Sequence, residues 1–210
     1  MLFSLLEVGA VLCALAYMVL VAREHIVCWF FAFVSTALFT VVFFEAALSF
    51  SMALNIYYMI MAGYGYWQWQ QGTTGGSEPA LSVQPRPLRF HLWVIAAGSI
   101  ISAALIWFTS TDSANADWFN TNWINTNWIN NNWINALDIV MSVFSVLTTV
   151  MVAHKVYENW FYWMVINALA VIIYSASGLT VSAGLFVVYI LFAIYGWREW
   201  RGLVRVNASC

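Results

Sequence analysis

The chain has 210 residues, of which 63% are hydrophobic and only 8% are charged, and its formal net charge is −2. A soluble domain carries about 25% charged residues, so this composition excludes a soluble globular protein and predicts an integral membrane protein. The bilayer is therefore the expected partner, and nothing in the charge pattern indicates nucleic acid. The 13 tryptophans are typical of a chain with aromatic belts at the membrane interfaces.

Seven segments approach the roughly 20 apolar residues that a helix needs to cross the bilayer core. In chain order they cover 3–22, 26–44, 50–69, 91–108, 137–153, 160–177 and 181–199. The first lacks the basic flank of a signal peptide, so we expect a retained helix. The sequence therefore predicts an all-α polytopic membrane protein with seven transmembrane helices.

The basic residues indicate the orientation of these helices. All of them fall on one side of a seven-span topology, in the first, third and fifth loops and at the C-terminal end. Because positive residues stay cytoplasmic, we predict a periplasmic N-terminus and a cytoplasmic C-terminus in a bacterial inner membrane. The residues are Arg23, Arg86, Arg89, Lys155, Arg198, Arg201 and Arg205.

An internal repeat divides the chain into two halves. The sequence YGYWQW at 64–69 returns as YGWREW at 195–200, and AREH at 22–25 resembles AHKV at 153–156. Helices one to three therefore resemble helices five to seven. The fourth helix gives the two trios the same direction, and in transporters parallel repeats of this kind hold substrate near mid-membrane between them.

The predicted organisation is three helices, a linker helix and three more helices. Residues 72–90 hold all three prolines and a Gly/Ser cluster, which indicates a flexible cytoplasmic linker. The YGxxxW signatures at 64–69 and 195–200 are predicted to be interfacial anchors through Trp67, Trp69, Trp197 and Trp200. The predicted boundaries are 1–71 for the first repeat, 72–90 for the linker, 91–108 for the fourth helix, 109–136 for a periplasmic loop, 137–202 for the second repeat and 203–210 for the tail.

No pattern of catalytic residues is present in the sequence. It has no zinc-protease, nucleophile-elbow or phosphate-binding motif, and its three cysteines form no CxxC pair. The only lysine, Lys155, falls in a loop, which excludes a retinal Schiff base in the last helix. We expect neither an enzyme nor a bound metal or cofactor.

Polar residues inside the spans are the candidates for a binding site, because a lipid-facing amide is left unsatisfied. Trp160, Trp163 and Asn167 are spaced i, i+3, i+7, on one helical face. Asn55 and Tyr58 are spaced i, i+3 on the third helix. Either amide alone is explained by helix–helix hydrogen bonding, but with aromatic residues beside both, a ligand site is the better interpretation.

A second polar face begins at Asp138 and continues through Ser142, Ser145 and Thr149 at helical spacing. It predicts either polar packing against a neighbouring helix or a wet path, and the sequence leaves both open. Glu7 falls opposite Asp138 in the repeat and is expected near the interface.

The three-plus-one-plus-three arrangement, the ENWxxW pattern at 158–163 and the YGWREW ending resemble the PnuC family of nicotinamide riboside transporters. The resemblance implies a fold similar to SWEET sugar transporters, uptake by facilitated diffusion and trapping by cytoplasmic phosphorylation. Nicotinamide riboside carries a cationic pyridinium, which indole and phenol faces attract. The expected substrate contacts are Trp29, Asn55, Tyr58, Asp138, Ser142, Trp163, Asn167 and Tyr189, with Glu158, Asn159 and Trp160 as gate or family-motif residues. Trp29 is expected to be the repeat counterpart of Trp163.

The stretch from 118 to 135 repeats tryptophan every five residues, which places the indoles on different faces of any helix. We expect an outer low-complexity loop at the interface.

Alternatives to the riboside transporter are a passive or proton-coupled carrier of another small nutrient, such as a sugar or a thiamine-like vitamin, and a membrane receptor without transport. The oligomeric state is left open.

Overall fold

The computed structural model describes residues 2–45, 49–70, 82–111, 132–176 and 180–207. These residues form seven α-helices, which confirms the predicted all-α class with seven helices. The helices are α1 Leu2–Ala22, α2 Cys28–Glu45, α3 Ser49–Gln70, α4 Leu88–Thr111, α5 Asn132–Ala153, α6 Asn159–Ala176 and α7 Thr180–Asn207.

Three helices extend well beyond the bounds that the sequence predicted, with lengths of 24, 22 and 28 residues for α4, α5 and α7. α4 reaches Thr111 and α5 begins at Asn132, so the ends of the expected 109–136 loop are helical. Asparagine lowers helix propensity only modestly, and Trp133, Ile134 and Ala136 continue the apolar helix upstream of Asp138. α7 continues to Asn207, past the expected end near 199, because no proline interrupts it. The remainder of the five-residue repeat lies outside the described residues.

By length and composition, three of the described helices can cross a membrane: Leu88–Phe108, Ala136–Ala153 and Asn159–Ala176. Val8–Ala22 and Cys28–Val42 are shorter apolar stretches. α4 exposes large apolar side chains along its length, with Trp93 at 77% and Ile100 at 70% exposure. Such a surface is stable facing lipid and unfavourable facing water.

The chain forms two compact units. The first contains described residues of Met1–Gln84, Thr149–Tyr157 and Gly196–Cys210, and the second contains those of Pro85–Thr148 and Glu158–Tyr195. In the first unit α1 packs on α2 and α2 packs on α3. The Ser35 hydroxyl donates a hydrogen bond of 2.8 Å to the Ala10 carbonyl oxygen, which satisfies a buried serine at the α1–α2 contact.

α1 and α5 end in the same way, at the positions that the repeat aligns. Glu24 and Lys155 adopt φ angles of 53° and 50°, in the left-handed region that terminates helices. The next amide then donates back across the last turn, His25 N to Leu20 O at 3.0 Å and Val156 N to Met151 O at 2.9 Å. The repeat seen in the sequence is therefore present in the backbone at these two ends.

Candidate functional site

The residues predicted to contact substrate are divided between the two units. Trp29, Asn55 and Tyr58 lie in the first unit. The second unit contains Asp138, Ser142, Trp163, Asn167 and Tyr189, together with Glu158, Asn159 and Trp160.

α6 carries the sharpest part of the predicted site on its buried face. Trp160 is 6% exposed and Asn167 is 5% exposed, and Trp163 is half-buried between them on the same face. The opposite face is apolar and exposed, with Val165 at 60%. One face of α6 thus holds two indoles and an amide away from the surrounding lipid, which is the chemistry that a flat polar ligand requires.

The polar face predicted on α5 points increasingly inward along the helix. Asp138 and Ser142 are half-buried, and Ser145 and Thr149 are both 8% exposed. Asp138 therefore sits on a face that leads into protein rather than into lipid, as a carboxylate within a span requires.

Tyr189 belongs to an aromatic group on α6 and α7. Its ring meets Phe186 edge to face at a centroid distance of 5.7 Å, and Phe186 in turn stacks on Tyr174 at 5.0 Å. On α3, Tyr58 and Asn55 are half-buried, and Tyr58 contacts the ring of Tyr57. Packed rings hold their neighbours in fixed orientations, which favours both tyrosines as rigid walls of a site.

Trp29 is the most enclosed of the predicted substrate contacts, with 2% of its surface exposed. Its indole packs edge to face on Trp69 at 5.3 Å and against Tyr17 at 6.2 Å. A Cβ added at Gly65 would overlap the same indole, because the backbone of α3 lies directly against the Trp29 ring.

The helix starts correct one prediction about the repeat. Trp29 and Trp160 are each the second residue of their helix and lie 131 positions apart, the same offset as the YGxxxW signatures. Trp160, not Trp163, is therefore the counterpart of Trp29. The prediction rested on a shared spacing, because Glu24 precedes Trp29 by five residues as Glu158 precedes Trp163. The helix ends instead align Glu24 with Lys155.

Glu158 has a structural role that the sequence did not predict. Both of its carboxylate oxygens accept a hydrogen bond from the Arg86 backbone N–H, at 3.2 and 3.1 Å, and its Oε2 lies 3.6 Å from His91 Nε2. The other ring nitrogen of His91 is 3.1 Å from the Tyr162 hydroxyl. The side chain just before α6 thus clamps the chain that leads into α4, and its carboxylate also suits the helix N-terminus.

Two of the four tryptophans expected at the membrane interface are instead buried. Trp69 is 5% exposed and donates from its indole nitrogen to the Ala153 carbonyl at 3.0 Å. Trp200 is fully buried and donates to the Val21 carbonyl at 3.3 Å. The last carbonyls of a helix have no partner from a following turn of that helix, and these indoles donate to carbonyls in the last turns of α5 and α1. The prediction that Trp69 and Trp200 are interfacial anchors was therefore wrong. Trp67 is 53% exposed, as an interfacial residue should be.

An apolar groove of about 380 Å³ in the second unit does not match the predicted site. Its lining offers almost no polar group to orient a hydroxylated ligand, so it is unsuited to a nucleoside. The lining residues are Ile95, Val140, Met141, Phe144, Phe161, Tyr162, Val165, Ile166 and Leu169.

Replacement of Glu158 by alanine tests the clamp. We expect Glu158→Ala to lower the free energy of unfolding by about 1 to 2 kcal/mol, since water at the exposed Arg86 amide replaces only part of the charge-assisted bond. The midpoint of thermal unfolding in detergent micelles measures this loss. Glu199→Ala, at an exposed carboxylate on α7, is the matched control and should leave the midpoint unchanged; equal midpoints for the two variants would argue against the clamp.

Comparison with known proteins places these features in a family. The family model described as nicotinamide mononucleotide transporter matches residues 4–202. The nicotinamide riboside transporter PnuC of Escherichia coli (strain K12) is 23% identical over 213 residues, covering 98% of this chain and 89% of the relative. The riboflavin/roseoflavin transporter RibM of Streptomyces davaonensis is 25% identical over 149 residues, covering 68% of this chain and 59% of the relative. A crystal structure of the vitamin B3 transporter PnuC shares the fold, with a TM-score of 0.69 at 23% identity over 96% of this chain and 83% of that one.

Proposed function

The chain belongs to the PnuC family of nicotinamide mononucleotide transporters, and on that premise we propose that it takes up nicotinamide riboside by facilitated diffusion. Like the relatives it matches, it is a multi-pass membrane transporter and not an enzyme. We further propose that cytoplasmic phosphorylation traps the substrate, and that the N-terminus is periplasmic and the C-terminus cytoplasmic.

The observation that carries the choice of substrate is the buried face of α6. An indole face at Trp163 attracts the pyridinium cation, an interaction worth about 2 kcal/mol or more when water is excluded. The amide of Asn167, one turn further along, is able to pair with the carboxamide of the ligand or with its ribose hydroxyls. Asp138, on the inward face of α5, adds a favourable negative charge for a cationic ring.

The remaining predicted contacts complete this proposal. Asn55 and Tyr58 on α3 and Tyr189 on α7 supply a second amide and two phenol faces, and Ser142 supplies a hydroxyl beside Asp138. Trp29 is kept as a predicted contact because its buried indole N–H has no hydrogen-bond partner among the described residues, which leaves one donor for a ligand.

The charge distribution of this chain favours nicotinamide riboside as substrate over nicotinamide mononucleotide, the compound for which the family model is named. A phosphate group in the membrane interior needs cationic partners. Every lysine and arginine of this chain lies outside the predicted spans or near their ends, from Arg23 to Arg205. Substrate without a phosphate is therefore the better match.

Flux into proteoliposomes tests the proposed function. We expect purified protein to equilibrate labelled nicotinamide riboside across the membrane without accumulating it, and nicotinamide mononucleotide to compete poorly. Riboflavin, thiamine and glucose serve as competitors, because the RibM relative is named for a flavin and the sequence alone left a sugar or thiamine-like vitamin open. Binding without flux would indicate a receptor, and accumulation that depends on a pH gradient would indicate a proton-coupled carrier.

A further inference from the structure

The turn after α5 brings together side chains from distant parts of the first unit. Lys155, the only lysine of the chain, is 9% exposed at the left-handed position that ends this helix. Its Nζ lies 3.1 Å from Oε2 of Glu24, which holds the matched left-handed position at the end of α1. The two ends that the repeat aligns are thus joined by an ion pair between the aligned residues themselves.

Tryptophans from the last helix of each repeat lie at the two helix ends that this pair joins. The Lys155 ammonium sits 4.5 Å from the ring centre of Trp69, within cation–π range. The Trp69 indole nitrogen also bonds the Ala153 carbonyl at the end of α5, and Trp200 bonds the Val21 carbonyl at the end of α1. Each signature tryptophan therefore caps the first helix of the other repeat.

The end of the linker adds a third segment to the same turn. Gln84 N donates to the Lys155 carbonyl at 3.2 Å, and Tyr157 N donates to the Gln84 carbonyl at 3.1 Å. These two bonds form a short parallel bridge across the turn. The turn after α1, the last turn of α3 and the linker therefore all contact the lysine that ends α5.

We propose that this crossed cap, made of Glu24, Lys155, Trp69 and Trp200, is a fixed anchor that stays closed while substrate passes. Glu24 and Lys155 are then positioning residues for transport, acting through the helix ends they join. An ion pair with Glu24 and a cation–π contact with Trp69 hold the ammonium in a mostly buried place, where separating the charges is costly. A gate that opens in each cycle would have to break the ion pair, the cation–π contact and two indole caps together. The proposal rests on the proposed transport function but not on the identity of the substrate.

Because Lys155 is the only lysine of the chain, its reactivity with an amine reagent reports whether the anchor opens. We would treat full-length protein in proteoliposomes with an amine-reactive ester, with and without saturating nicotinamide riboside, and follow acylation at position 155 by peptide mass. A fixed anchor predicts slow acylation that does not change with substrate. Faster acylation of the wild-type protein during transport would overturn the proposal, because it would show that the cap opens.

Variants calibrate this measurement. Glu24→Gln should speed acylation about tenfold, the effect of losing one charge-assisted interaction. Glu199→Gln, at an exposed carboxylate, should leave the rate unchanged. If no riboside is carried, the protection of Lys155 and its loss in Glu24→Gln still test the cap, so failure of the function and failure of the anchor remain distinguishable.

A kinetic comparison separates positioning from simple stability. Lys155→Met removes the charge and keeps the chain length, whereas Lys155→Arg keeps both the charge and the stacking on Trp69. We expect Lys155→Met to lower the maximal transport rate while the dissociation constant for substrate stays the same, and Lys155→Arg to restore the rate. Equal maximal rates for the wild-type, Met and Arg proteins would overturn the role in transport; if the Met variant does not fold, the acylation of the wild-type protein still decides.

Discussion

Replacing Trp163 with alanine is expected to weaken the binding of nicotinamide riboside at least about thirtyfold, the equivalent of a desolvated cation–π contact of about 2 kcal/mol. The side chain lies on the buried face of α6 between Trp160 and Asn167, so its removal takes away the more accessible of the two indoles on that face. Calorimetric titration of the purified protein with the riboside measures the change in dissociation constant.

The control for this prediction is a tryptophan that faces away from the protein. Trp93 on α4 is 77% exposed, and Trp93→Ala should bind the riboside as the wild-type protein does. Both variants should keep the wild-type elution profile, because Trp163 is only half-buried and its loss leaves the other face of α6 intact. Unchanged affinity in a folded Trp163→Ala protein would remove this residue from the site.

The second large effect is expected at a glycine of the repeated signature. Gly65→Ala should lower the free energy of unfolding by about 1 to 3 kcal/mol, the usual range for overpacking a tight contact. The added Cβ would overlap the indole of Trp29, which cannot move away because Tyr17 and Trp69 pack against it. Thermal unfolding in detergent, followed by loss of monodisperse protein, measures the difference.

The same helix provides the matched control. Gly63 lies two residues earlier and has open space where a Cβ would be placed. Gly63→Ala should raise the free energy of unfolding by up to about 1 kcal/mol, because alanine restricts the unfolded chain and favours helix. If both substitutions stabilised the protein, the close approach of α3 to Trp29 would be refuted.

The sequence predicted the helices and the repeat because both leave local signals. Apolar runs of the right length indicated seven helices, and the recurrence of YGxxxW at a fixed offset indicated two matched halves. That offset also aligned Glu24 with Lys155, where the backbone shows the same helix ending. The parallel direction of the repeats and the substrate contacts stay predictions, since they depend on how helices of the two halves are arranged.

The roles of Glu158, Trp69 and Trp200 could not be read from the sequence, because each depends on a partner distant in the chain. Glu158 bonds an amide 72 positions away, and Trp200 caps a carbonyl 179 positions away. A tryptophan near a helix end has the same sequence context whether it faces a lipid headgroup or a neighbouring helix. One signal was available: an anchor needs only an aromatic residue, whereas the repeat kept tryptophan itself at 69 and 200, as an indole donor requires.

Opposite charges at positions 24 and 155 make the two halves unlike partners. Two copies of the first half, paired in this way, would bring two glutamates together at a mostly buried point, and two copies of the second half would bring two lysines together. A pair of identical halves would need a residue there that tolerates its own copy. Glutamate and lysine therefore favour the pairing of one half with the other over the pairing of either half with itself.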